Sequence, residues 1–146
     1  MFESAELGHR IDDETFKQLF PTSLLKSFRW EHARVKVAPL DSLSLRPSII
    51  KIDVEGHETQ VLRGLQRTIA AWRPFLMVEC SESSFTAVNG LLAPQGFVAA
   101  SYTASKDRFE LVEKGFVIDM GAVDQRNIFF LPAEKLPHLP LGENLR

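Results

Sequence analysis

Ser48-Ile49-Ile50-Lys51-Ile52-Asp53-Val54-Glu55-Gly56-His57-Glu58 is the stretch whose reading decides the fold. It opens on an apolar, β-branched run, as a strand covered on both faces does. Within a few residues it turns to two carboxylates, a glycine, a histidine and a third carboxylate. A helical pattern follows at once, with Val61, Leu62, Leu65, Ile69 and Trp72 spaced on one face from His57 to Trp72. A buried strand ending in a polar turn before a helix is where open α/β sheets place their ligands. Gly56 permits the sharp backbone turn this transition needs. Gly64, costly inside a helix, suggests a close approach to the sheet.

Outward from this centre, the chain alternates strand and helix. Phe75-Leu76-Met77-Val78 predicts a second buried strand, ending in Glu79. Ser81 to Ser84 offers helix caps, followed by an apolar face of Phe85, Val88, Leu91 and Leu92. Phe97 to Tyr102 predicts a third strand, Phe109 to Val112 a short one, and Asn127 to Leu131 the last. Upstream, Arg34 to Ala38 alternates like a half-buried strand. Pro39 to Leu43 then breaks it, with Asp41 placed as an N-cap. The first 34 residues read as loop and short helix, and the tail with Pro137 and Pro140 as extended or mobile. The order predicts an α/β domain with a mostly parallel sheet and a terminal antiparallel hairpin, because no clear helix precedes the last strand.

The chain has 146 residues, one domain's worth, and a net charge of -2 with mixed signs. That balance argues against nucleic acid or an anionic membrane as the main partner. Lys26, Arg29, Arg34 and Lys36 read as a solvated face. The single cysteine, Cys80, excludes an intrachain disulfide and reads as a packed small hydrophobe. No signal peptide or span of roughly 20 apolar residues is visible, so a soluble cytoplasmic protein is expected.

Asp53 and Glu55, two apart on a strand, share a face. Glu79 ends the neighbouring strand at the same sheet edge, and His57 starts the helix. Such groups orient a hydroxyl, remove its proton or stabilise a cationic centre. The alternative for Glu55 or Glu58 is a structural role at the helix N-terminus. A metal-dependent hydrolase built on Asp53, Glu55 and His57 is a further reading, although the spacing matches no specific metal motif and no metal is expected. No G-x-S-x-G elbow is present, and Gly56, Gly64, Gly90 and Gly96 are too scattered for a phosphate loop.

Ile50 to Glu58, followed by Val61-Leu62-Arg63-Gly64, resembles the hallmark of the FkbM-type methyltransferase family. Leu40-Asp41-Ser42-Leu43 resembles the segment ahead of that strand, and Pro74 to Glu79 the strand after it. Looser similarities run from Thr22-Ser23-Leu24-Leu25 to Gly96-Phe97 and Asn127 to Phe130, so the resemblance covers roughly residues 20 to 132. It implies a class I, Rossmann-like fold, S-adenosylmethionine as donor and methyl transfer to a small-molecule or sugar hydroxyl. It places Asp53 and Glu55 near the transferred methyl and the acceptor hydroxyl; together with the positions of His57 and Glu79 read above, the expected catalytic residues are Asp53, Glu55 and His57 and the expected cofactor contacts Asp53 and Glu79. The family's first three strands and its D-x-G-x-x-x-G loop have no counterpart here. The chain therefore reads as one partial domain, the C-terminal portion, with residues 133–146 as a mobile tail and weak cofactor binding on its own. The absent first strand would leave the strand at 49–54 with an open edge, able to self-associate or to receive the missing half. The rival is a non-catalytic remnant or interaction module.

Overall fold

The computed structural model describes residues 35–54, 56–112 and 127–142. Contacts divide the chain into two units, residues 1–37 and 38–146. Of the first unit only 35–37 are described; they are not a strand, and Val35 and Val37 are 78% and 63% exposed. The half-buried strand expected over 34–38 is therefore absent from its described residues. Alternation alone does not make a strand when neither parity of side chain is buried.

The second unit begins with a short 3-10 turn, Leu40–Leu43. Strand β1, Ile49–Ile52, leads to helices α1, Glu58–Arg63, and α2, Gln66–Trp72. Strand β2, Phe75–Glu79, is followed by α3, Glu82–Leu92. Then come β3, Phe97–Thr103, β4, Arg108–Leu111, and β5, Asn127–Pro132. A 3-10 segment, Ala133–His138, closes the described chain.

Among the described residues five strands form one sheet in the order β1-β2-β5-β3-β4. Of their pairings, that of β1 with β2 is parallel and the other three are antiparallel. The α/β class holds, but the sheet is mixed where a mostly parallel one was expected. The reason lies in β5, which runs against both its neighbours. It enters between β2 and β3, so β1, β2 and β3 still point the same way. The expected antiparallel relation of β3 and β5 is present, but it lies inside the sheet. The terminal hairpin is β3–β4.

Strand parity assigns the two faces. Ile52, Leu76, Val78, Phe97, Ala99, Ile128 and Phe130 point to one side, where Leu62, Leu65 and Ile69 of the α1–α2 segment and Val88 and Leu92 of α3 meet them in one buried cluster. Each large side chain fully buried there contributes about 1.5–3 kcal/mol. On the other face Tyr102, Phe109 and Phe129 form an aromatic group, with Phe109 5.2 Å from each of the other two rings. β1 is not covered on both sides. Ile49 is 62% exposed and Lys51 is exposed, whereas Ile52 is buried. Among the described residues β1 pairs only with β2, which makes it an edge strand.

The single helix expected from His57 to Trp72 is two. Gly64 caps the first, and Leu65 leaves helical geometry before the second starts. Gly64 does mark a close approach, but to the 3-10 turn and not to the sheet. Its carbonyl accepts the Asp41 amide at 2.9 Å, and an added Cβ would stand 3.5 Å from Pro39 Cα. Asp41 caps α2 across the chain, not its own turn. Its Oδ2 accepts from the Arg67 amide at 2.9 Å, and its Oδ1 from the Thr68 amide at 2.8 Å. Trp72, expected on the buried helix face, is 43% exposed, with the Arg46 guanidinium 5.0 Å above its ring.

At the edge of the sheet where β2 begins, Arg73 ties three turns together. It donates to the carbonyls of Gln95 at 2.6 Å and Gly96 at 3.3 Å, and grips both oxygens of Glu134 at 2.9 Å. Its guanidinium also lies 4.4 Å from the Phe97 ring. The tail is not extended over its described part: Ala133–His138 is a 3-10 segment. Lys135 bonds the Arg73 carbonyl, and Phe109 exchanges backbone bonds with Pro140 at 2.9 Å and Gly142 at 2.7 Å.

Candidate functional site

At the opposite edge, β1 and β2 end side by side. Ile52 pairs with Val78, so one residue further Asp53 comes level with Glu79. Glu79 in turn pairs with Asn127, the first residue of β5. Paired residues share a face. Asp53, Glu79 and Asn127 therefore form one transverse row across three strands, on the face away from the helices. Lys51, two before Asp53, shares that face.

The polar groups in this row interact. Lys51 Nζ donates to Asp53 Oδ2 at 2.8 Å. That ammonium, and then a side-chain hydrogen bond with Glu79, hold the Asp53 carboxyl below its usual range. The same Asp53 carboxylate raises Lys51, and Glu79 adds to the effect. Asn127 Oδ1 is buried and has no hydrogen-bond partner, an arrangement that costs about 1–3 kcal/mol unless something donates to it.

The turn after β1 is built locally. Gly56 has φ +85, a conformation that a side chain would strain. Its amide donates to Glu58 Oε1 at 2.7 Å. Glu58, the first residue of α1, is only 5% exposed and sits close enough to Cys80 to help raise that thiol. Of the two readings for Glu58, the structural one holds: it braces the turn. His57 occupies the N-cap position of α1 without a side-chain capping bond, and its carbonyl accepts from Val61 at 3.0 Å. Cys80 is buried, 2% exposed, and burial pushes its thiol up to about 12, which makes it inert as a nucleophile.

Of the residues selected from sequence, Asp53 and Glu79 are brought together. His57 lies at the start of the adjoining helix, and Glu55 lies outside the described residues. Lys51 and Asn127 were missed as site residues. Lys51 was legible in principle, since it is two from Asp53 on the same strand. Asn127 was not, because its place beside Glu79 depends on β5 inserting next to β2. Among the described residues no three His, Cys, Asp or Glu side chains converge as a metal set. None of their helices is long and apolar enough to cross a membrane. An open groove of about 860 Å³, lined by residues that include Asp107, Arg108, Leu136 and Leu141, shares no residue with this row.

Comparison with known proteins returns one family. The model described as the methyltransferase FkbM domain matches residues 4–99. It starts nearer the N-terminus than the motifs quoted above and stops inside β3. No curated protein and no solved structure matches the chain.

Proposed function

The chain belongs to the methyltransferase FkbM domain family, and on that premise we propose that the row Asp53–Glu79–Asn127 lines the transfer edge of an S-adenosylmethionine-dependent methyltransferase acting on a hydroxyl of a small molecule or sugar. The observation that carries this reading is the juxtaposition of Asp53 and Glu79 at the ends of two parallel strands. Adjacent carboxylates suit a cationic donor, and the buried Asn127 Oδ1 suits a ligand that brings an O–H or N–H. Asp53 and Glu79 are the residues that would hold the donor. When bound, it supplies a methyl carbon activated by the sulfonium charge.

The chain's own groups then have separate tasks. Asp53, kept ionised by Lys51, presents a fixed negative charge to the positive ligand. The acceptor hydroxyl donates to the carboxylate row, which orients its oxygen lone pair. The proton it loses passes to a carboxylate of the row. Asn127 accepts a second hydrogen bond and fixes the ligand's rotation. Glu55 and His57, two and four residues after Asp53 in the sequence, complete the groups assigned to the acceptor side.

The test is transfer of a radiolabelled methyl group from S-adenosylmethionine to a panel of hydroxyl compounds, sugars included. We expect label in at least one alcohol and its loss in Asp53→Asn. Folded protein that labels none of them would overturn the reading.

A second reading, an interaction module, draws on the exposure of Ile49 on the edge strand β1. In it, β1 accepts a further strand from a second copy or from another segment. Light scattering during gel filtration separates the two readings: a monomer over a wide concentration range removes self-association.

A further inference from the structure

One group in the row does not fit a site built for a positively charged ligand: Lys51 is itself a cation. Its ammonium lies 2.8 Å from Asp53 Oδ2, while the two side chains are 52% and 43% exposed. An ion pair that open to water is weak and readily exchanged. Lys51 is also free to leave, because it stands on an edge strand with a flexible four-carbon stem. Asp53, by contrast, directly follows β1 and is level with Glu79 at the strand ends.

We propose that Lys51 is a specificity-determining residue of this edge, a resident cation that occupies Asp53 until a positively charged ligand displaces it. This rests on the methyl-transfer reading and names the regulation of that site. Exchange of one cation for another leaves Asp53 paired in both states. A neutral ligand cannot make the exchange, since its arrival would leave either Asp53 or Lys51 without its partner. Lys51 thus holds down the affinity for a sulfonium donor, leaves that for the neutral thioether unaffected, and returns to Asp53 once the sulfonium charge is gone. No bond is made or broken in the exchange, and only positions of charge change.

The experiment follows Lys51 ε-methylene and Asp53 carboxyl signals by NMR on the full chain. The probes are S-adenosylmethionine and trimethylsulfonium as cations, with S-adenosylhomocysteine and dimethyl sulfide as neutral matches. We expect both cations to move Lys51 toward the signal of a solvated lysine and the neutral pair to leave it in place. Lys51→Met should strengthen cation binding about two- to fivefold, the worth of an exposed pair, and leave thioether binding unchanged. Lys51→Arg should keep the original preference. Saturation by either cation without movement of Lys51, equal gains for charged and neutral probes, or no response to either cation would overturn the inference. Displacement by trimethylsulfonium without any methyl transfer would sink the proposed function and leave this inference standing. Methyl transfer with Lys51 unmoved would do the reverse.

Discussion

Asp41 Oδ1 accepts hydrogen bonds from both the amide and the hydroxyl of Thr68, at 2.8 and 2.7 Å, across 27 residues of chain. Burial pulls the Asp41 carboxyl up, but the Thr68 hydroxyl and the amides of Arg67 and Thr68 outweigh it and hold it below its usual range. A helix of seven residues that starts on a break has no nucleus of its own. The cap from a preceding turn supplies what the local sequence does not. Asp41→Ala should cost about 1–2 kcal/mol and lower the thermal midpoint by about 4–8 °C, while Asp41→Asn should lose less. A midpoint unchanged in Asp41→Ala would show that α2 does not depend on this cap.

Asp53→Asn separates a site role from a structural one. Asp53 is 43% exposed, so its replacement should leave stability within about 0.5 kcal/mol. If the carboxylate takes the acceptor's proton, methyl transfer should fall by about 10²-fold or more. Lys51 gives an independent readout. Its titration is raised first by its bond to Asp53, so in Asp53→Asn it should move back toward the ordinary lysine range. Unchanged turnover alongside that shift in Lys51 would remove Asp53 from the chemistry and keep the ion pair.

How far the sequence could be read depended on the range of the interaction. The turns after β1 and β2 were legible because Gly56, Glu58 and Ser81 act within a few residues of themselves: Gly56 takes the positive φ, and Ser81 and Ser84 exchange the bonds of a capping box. The pairing of Asp53 with Glu79 was legible too, since a parallel β-helix-β unit puts both strand ends on one edge. The split at Gly64 was not, because it is set by the Asp41 segment packing 23 residues away. Nor was the place of β5. Its residues Asn127 to Pro132 read as a strand, but no local pattern says that it inserts between β2 and β3.

Cys80 predicts a silent thiol. It is buried beneath the start of α3, and burial first, then the charge of Glu58, keeps it protonated far above neutral pH. A disulfide reagent such as an aromatic disulfide should label it only as fast as the fold opens. The rate should rise steeply with denaturant and stay flat between pH 7 and 9. Rapid labelling of native protein would place the thiol at the surface.

Arg73 and Glu134 predict an acid limb of stability. The Arg73 guanidinium, bonded to both carboxylate oxygens, holds Glu134 down to about 2, against 4.5 for the free side chain. A carboxylate lowered by folding stabilises the native state above its unfolded value. That contribution is fully present above about pH 4.5 and is lost as the pH falls toward 2. Glu134 is exposed, so salt should screen part of the effect. Glu134→Gln should flatten the drop in thermal midpoint between pH 4.5 and 2 without changing the core. Arg73→Ala should do more, because it also frees the Gln95 and Gly96 carbonyls that join the turn after α3 to the start of β3. Arg73→Lys keeps the charge but has no planar fork to reach those carbonyls and both Glu134 oxygens at once. It should therefore restore part of the acid limb and little of the midpoint at neutral pH. Equal midpoints at neutral pH for Arg73→Lys and the native chain would mean that charge alone, not the fork, joins these turns.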